Sequence, residues 1–222
     1  VIKIQDFEAV IFDMDGVLID SEPLWKIAME EAFHSVGCMI TKKDFQKTVG
    51  LRIDEVVEYW HKHSGWKDLS VKEVEDLIIQ KMVRLIKENG DPLVGVLDTI
   101  SFLKSQGLKV GLATSSYNIL IDKVLDALGI RDAFDVVNSA EDEEFGKPHP
   151  AVYLTVANKL KVDPIKCLVI EDSLNGVIAG MAAKMNVVCI PEKTHNPERK
   201  LQLAHYLFED MALFLEHIKS NS

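Results

Sequence analysis

Two carboxylates one residue apart, Asp13 and Asp15, stand at the end of an apolar run, and Gly16 follows them at once. Charge is costly to remove from water unless it is paired or bound to metal, so a buried pair of this kind asks for a cation. Asp-x-Asp-Gly is also the chemistry of an acidic turn, and the two acids alone do not choose between these readings. Three further clusters do. Thr114, Ser115 and Ser116 follow a second apolar run, Lys147 lies in the stretch G-K-P-H-P (146–150), and Glu171 with Asp172 ends the segment C-L-V-I-E-D. Together they amount to three or four carboxylates, one ammonium and small hydroxyls. Crowded carboxylates hold protons rather than all ionising, a conflict that a hard dication resolves. Mg²⁺ prefers oxygen ligands and commonly binds one or two carboxylates plus a substrate phosphate. The hydroxyls, the backbone N–H groups ahead of a helix at 118, and Lys147 suit a phosphate anion. A carboxylate beside them can act as a nucleophile and form an aspartyl phosphate. A second carboxylate one residue on can serve as general acid and then as base. The set points to phosphoryl transfer, in which positioning and charge neutralisation supply most of the catalysis.

These groups need elements that bring them together. Short buried strands read at 8–12, 109–113, 134–138, 167–170 and 187–190, and helices at 96–106, 118–128, 151–160, 176–184 and 211–218. Alternating strands and helices imply parallel strands with right-handed crossovers. In open α/β sheets ligands bind at the carboxyl ends of such strands, and all four polar clusters fall there. The stretch between the first and second strands reads differently. Asp20 and Ser21 are N-cap candidates, Pro23 suits a first turn, and Leu24, Ile27, Ala28, Ala32 and Val36 recur at helical spacing. Thr41 with Asp44 and Ser70 with Glu73 resemble capping boxes. A break at 49–52, with Val49 and Gly50, separates the second helix from a third at 53–64, and Val74, Leu77, Ile78, Met82 and Leu85 continue a fourth. Asn89-Gly90-Asp91-Pro92 ends the run. The expected fold is a doubly wound parallel α/β core built from 1–19 and 90–222, with a helical cap at 20–89.

Composition bounds the rest. A chain of 222 residues with 47% hydrophobic side chains can bury a substantial core. Mean hydropathy is +0.06, and no apolar run approaches the ~20 residues of a membrane span. No signal-peptide core opens the sequence. Cys38, Cys167 and Cys189 are widely spaced and read as buried thiols, which suits a reducing cytoplasm. Net charge is −10, and no basic patch with interleaved aromatics suggests nucleic acid. The excess acid is uneven, since 22–88 holds 11 basic and 12 acidic residues and the remainder 14 and 23.

D-M-D-G-V, A-T-S-S, G-K-P-H-P and E-D-S-x-x-G, in that order, resemble the four motifs of the haloacid dehalogenase superfamily, and the resemblance spans the chain. It implies a Rossmann-like core with an inserted helical cap, Asp13 as nucleophile and Asp15 as general acid/base. It also implies Thr114 and Lys147 on the phosphate, and Mg²⁺ held by Asp13, the Asp15 carbonyl and Asp172, with Glu171 either a ligand or a neighbour of one. D-S-E-P-L-W (20–25) and G-L-R-I-D (50–54) are similar to bacterial sugar-phosphate phosphatases of the hexitol and 2-deoxyglucose-6-phosphate group. The substrate so implied is a small phosphorylated sugar or polyol. Ser115, Ser116, Lys147 and Gly50 would line its site, Arg52 would bond a sugar hydroxyl or the phosphate, and Trp25 would wall the pocket or pack between cap helices.

Three rivals are distinguishable. A mutase like β-phosphoglucomutase would share all four motifs but usually carry a His near Trp25 and a basic residue near Val49 in the cap loop; no His lies near Trp25, and 48–51 holds no basic residue. A true dehalogenase would lack Asp15, and a non-enzymatic sugar-phosphate sensor would lack a catalytic residue. Trp60 reads as core, His61 and His63 as surface, and 141–144 as a solvated charge run. A monomer is the default for a capped architecture, and 16–21 reads as the hinge through which the cap closes.

Overall fold

Four consecutive apolar residues without a polar face make β1 (Ala9–Phe12), and all four are buried. This is the mark of a strand covered on both faces of a parallel sheet. In the computed structural model, which describes residues 1–45, 47–48, 50–191 and 199–221, β1 is an inner strand of the sheet. The other described strands are β2 (Lys109–Thr114), β3 (Val136–Ser139), β4 (Cys167–Glu171), β5 (Asn186–Cys189) and β6 (Tyr206–Leu207). Their order is β3-β2-β1-β4-β5-β6, and every pairing is parallel. The chain builds outward from β1 on one side, then crosses over and builds outward on the other. The crevice at that reversal, between β1 and β4, is where such sheets place ligands.

Register brings the strand ends level. Phe12 lies beside Leu112 of β2 and Ile170 of β4. The ladder runs one residue further, since Asp13 N–H donates to the Ile170 carbonyl at 2.9 Å. The segments after β1, β2 and β4 therefore open onto one edge.

Between β1 and β2 come α1 (Glu22–Ser35), α2 (Lys42–Phe45), α3 (Ile53–Ser64), α4 (Val71–Asn89) and α5 (Val96–Ser105). The first four form the all-helical insertion. Its two connections run side by side: Ile19 bridges to both Asp15 and Pro92, and Leu93 N–H donates to the Leu18 carbonyl. The Ser70–Glu73 capping box forms at α4, and Asp44 accepts from both N–H and hydroxyl of Thr41 at α2. Trp60 is buried. The remaining helices are α6 (Asn118–Leu128), α7 (Ala151–Leu160), α8 (Leu174–Ala182) and α9 (Met211–Ser220). Alternation along the strands assigns them to faces. Val10, Phe12, Leu112 and Ile170 pack with α5, α6, α9 and the insertion, whereas Ile11, Val169 and Val187 pack with α7 and α8.

Several element bounds differ from the sequence reading. β3 starts two residues later because Arg131–Ala133 forms a 3-10 turn, and Phe134 leaves the strand to set its ring edge-on against Phe12. α8 starts two residues earlier because the Ser173 hydroxyl accepts from Gly176 N–H and caps it. β6 has only two residues, too few to show a period. Val49, in the break before α3, lies outside the described residues. The three cysteines are buried and unpaired, and burial pushes the Cys167 thiol up to about 12. No helix among the described residues is long and apolar enough to cross a membrane.

Candidate active site

Asp13 leaves the end of β1 buried, with Lys147 Nζ 3.0 Å from its Oδ1. Lys147 arrives from the loop before α7 and is itself 2% exposed. Its ammonium also donates to Glu171 Oε1 at 2.6 Å and to the Ala113 carbonyl at 3.2 Å. Burial works against this cation, but the Asp13 and Glu171 carboxylates outweigh it and hold the lysine above its ordinary range. The lysine is thus a fixed charge tying the ends of β1, β2 and β4 together.

Glu171 is the least available carboxylate of the cluster. Oε1 accepts from Lys147 and from the Tyr153 hydroxyl at 2.5 Å. Oε2 accepts from the N–H groups of Asp172 and Ser173 and from the Ser173 hydroxyl. Burial would raise this carboxyl, but Lys147, Tyr153 and Ser173 hold it low. Its position depends on Gly176, because a Cβ there would come within 1.8 Å of Glu171 Oε1. Gly176→Ala is therefore expected to destabilise the fold by about 1–3 kcal/mol through overpacking. Denaturant unfolding of wild type and variant checks this, and an unchanged midpoint would show that the carboxylate relocates freely.

Asp15 makes a set of contacts separate from those of Asp13. Its Oδ1 accepts from the Ser21 hydroxyl at 2.6 Å and from the Trp25 indole N–H at 2.9 Å. Its Oδ2 accepts from the Ser116 hydroxyl at 2.6 Å. The first two donors come from the start of the helical insertion and the third from the segment after β2. Ser21 does occupy the N-cap position of α1, but it makes no side-chain cap bond, because its hydroxyl goes to Asp15 instead.

The charges of the cluster do not balance. Asp13, Glu171 and Asp172 offer carboxylate oxygens within 4.8 Å of one another. Burial, only partly offset by Lys147, raises Asp13 to about 7, with Glu171 and Asp15 adding to the rise. Burial, then Glu171 and Asp13, hold Asp172 well above the usual carboxylate range. Such surplus negative charge among oxygen donors fits a hard dication. Since both oxygens of Glu171 are engaged, Asp13 and Asp172 are the side chains able to hold it. Gly16 lets Asp172 approach: its φ is +71°, and a Cβ there would meet Asp172 Oδ2 at 2.1 Å.

These groups open into a cavity of about 130 Å³ whose other wall is the insertion. Asp13, Asp15, Lys147 and Asp172 line it, as do Thr114, Ser115 and Ser116, and Trp25 and Gly50 on the insertion side. Ser115 donates its hydroxyl to the Gly50 carbonyl at 3.1 Å, and Thr114 Oγ1 accepts from Ser116 N–H. Two expected groups are placed elsewhere. Arg52 does not line the cavity; its Nη1 donates to the Ala140 and Glu143 carbonyls at 3.1 and 2.9 Å, and its Nη2 pairs with Asp54. The two N–H groups of one guanidinium nitrogen serve two core carbonyls, so Arg52 docks the insertion on the core. The leading amide of α6, on Asn118, is taken by Glu141 Oε2 at 2.9 Å, so part of the 141–144 charge run caps a helix. Five more residues belong to the site or its support: Ser21, Glu22 and Ser173 lie within the sequence motifs but carry no site role there, and Lys26 and Tyr153 lie outside them. From sequence Ser21 reads as a helix start, and Tyr153 only as part of the helix at 151–160.

Residues 7–184 match the family model of the haloacid dehalogenase-like hydrolases. Hexitol phosphatase B of Escherichia coli (strain K12) is 43% identical over 197 residues, covering 88% of this chain and 89% of that protein. The phosphorylated carbohydrates phosphatase of Thermotoga maritima is 34% identical over 176 residues, 79% of this chain and 81% of that protein. Among solved structures, a β-phosphoglucomutase from Clostridium difficile superposes with a TM-score of 0.83 at 28% identity, covering 97% of this chain and 96% of that one.

Proposed function

The chain belongs to the haloacid dehalogenase-like hydrolases and is a phosphatase, and we propose that it hydrolyses monophosphates of small sugars and sugar alcohols through a phosphorylated Asp13. The observation that carries this reading is the division of labour between two carboxylates. Asp13 is buried against Lys147, and Asp15, one residue on, is turned to a separate set of donors in the same cavity. The relatives' names, a hexitol phosphatase and a phosphorylated carbohydrates phosphatase, support the substrate class.

In this reading 1–19 and 90–222 form the catalytic core, and 20–89 is a cap that closes the cavity. Asp13 and Asp172 would hold Mg²⁺, which would neutralise the crowded carboxylates and the substrate phosphate. Lys147, kept cationic by its two carboxylate neighbours, holds the phosphate beside Asp13. The Asp13 carboxylate attacks phosphorus, the ester P–O bond breaks, and the leaving oxygen takes its proton from Asp15. Asp15 then accepts a proton from water as the water oxygen displaces Asp13 from phosphorus, restoring both acids and releasing inorganic phosphate. Trp25 fixes where the travelling proton resides. An indole N–H only donates, so Asp15 Oδ1 stays an acceptor and the proton is carried on Oδ2. There the Ser116 hydroxyl can turn from donor to acceptor.

A phosphate-release screen over sugar and polyol phosphates with Mg²⁺ tests the reading. Hexitol and hexose 6-phosphates are expected to exceed p-nitrophenyl phosphate in kcat/KM by about tenfold, roughly 1.4 kcal/mol of extra transition-state binding. No preference for any sugar or polyol phosphate would overturn the substrate class.

A further inference from the structure

The insertion side of the cavity is lined by Trp25, Met29, Phe45, Leu51, Ile53 and Val56, with only two charged groups among the described residues, Glu22 and Lys26. They form an ion pair one helical turn apart on α1, with side chains 18% and 26% exposed. The order, Glu before Lys at i,i+4, is the favourable one on a helix. Their neighbours in sequence, Ser21 and Trp25, are the residues that bond Asp15. The pair is therefore held at a set offset from Asp15. On the core side, Lys147 is already committed to Asp13 and Glu171. Arg52 is turned out to the carbonyls of the core loop.

We propose that the Glu22–Lys26 pair reads the hydroxyl groups of an uncharged polyol chain, so that the site takes phosphate monoesters of neutral, hydroxyl-rich chains and excludes those with a second anionic group. This rests on the reading of the chain as a sugar-phosphate phosphatase. A hydroxyl both donates and accepts. A carboxylate beside an ammonium gives adjacent hydroxyls one acceptor and one donor, and an apolar wall covers the carbon chain between them. A second phosphate or a carboxylate would meet a cation already neutralised by Glu22, in surroundings where unpaired charge is costly. Mutase chemistry through a sugar bisphosphate would face the same barrier.

The test compares kcat/KM for a hexitol 6-phosphate, a hexose 1,6-bisphosphate and p-nitrophenyl phosphate in wild type, Glu22→Gln and Lys26→Met. Wild type is expected to favour the hexitol monophosphate over the bisphosphate by about 100-fold, the scale of one unpaired charge at roughly 1.4 kcal/mol per tenfold. Glu22→Gln frees the Lys26 charge, so the bisphosphate-to-monophosphate ratio is expected to rise at least about tenfold. Lys26→Met removes the ammonium and keeps the carboxylate, and is expected to lower the ratio. Shifts of the same sign in both variants, or no shift in either, would overturn the proposal while leaving the phosphatase reading intact. A wild type active on p-nitrophenyl phosphate but on no sugar or polyol phosphate would overturn both.

Discussion

Asp13→Asn is expected to abolish phosphate release, by about 10⁴-fold or more, while leaving the protein folded. Loss of a covalent nucleophile removes the route itself rather than one of its stabilising contacts, and in such cases single substitutions cost about as much as removing the whole machinery. The fold should tolerate the change well. Asp13 is buried among Glu171, Asp172 and Asp15, and its carboxyl is raised by burial despite Lys147. A neutral amide of the same shape relieves that crowding, and Lys147 keeps its bond to Glu171. Without metal, the thermal midpoint of the variant should equal or exceed that of wild type. Mass spectrometry of acid-quenched wild type during turnover should detect a phosphoryl adduct on the peptide containing Asp13, and the variant should lack it. Residual turnover above about 1% of wild type would exclude Asp13 as the nucleophile.

Asp15→Asn is expected to slow turnover of sugar phosphates by about 10²–10⁴-fold, the usual worth of general acid–base catalysis, with Mg²⁺ affinity largely retained. The local structure accommodates an amide. Its oxygen can keep the Ser21 and Trp25 donors, and its NH₂ can face the Ser116 hydroxyl, which is able to accept. What is lost is the transferable proton. That gives the experiment a second arm, since a nitrophenolate leaves without protonation. Formation of the phosphoenzyme from p-nitrophenyl phosphate should therefore suffer less than formation from a hexitol phosphate. Equal losses on both substrates would assign Asp15 to binding or structure, and normal turnover would remove it from the mechanism. Titration calorimetry with Mg²⁺ separates these outcomes from loss of the metal.

Much of the core could be read along the chain because its signals are local. β1, β2 and β4 are short runs buried on both faces. α3, α6 and α7 carry helical periods whose ends fall where the spacing puts them. A parallel sheet then sends every strand's carboxyl end to one edge, so residues more than a hundred positions apart, such as Asp13 and Lys147, are brought together by topology alone. β6 and the start of β3 were not legible. Two residues carry no period, and whether Phe134 continues a strand or turns toward Phe12 is settled by packing from another element.

The site divides in the same way. Residue type and order along the chain were enough to collect Asp13, Asp15, Thr114, Lys147 and Asp172 at one place and to infer an anion with a hard cation. Partnership was not contained in them. Glu171 and Asp172 are adjacent acids at one strand end, yet one is saturated by Lys147, Tyr153 and Ser173 while the other faces the cavity. Arg52 could have turned toward the substrate; it went to the Ala140 and Glu143 carbonyls because the core presents two acceptors within reach of its Nη1. Ser21 looked like a helix cap and Trp25 like a wall, and both became donors to Asp15. Periodicity and propensity act over a few residues and report which face a side chain takes. Which partner it meets across that face depends on elements distant in sequence, and so only the folded chain decides it.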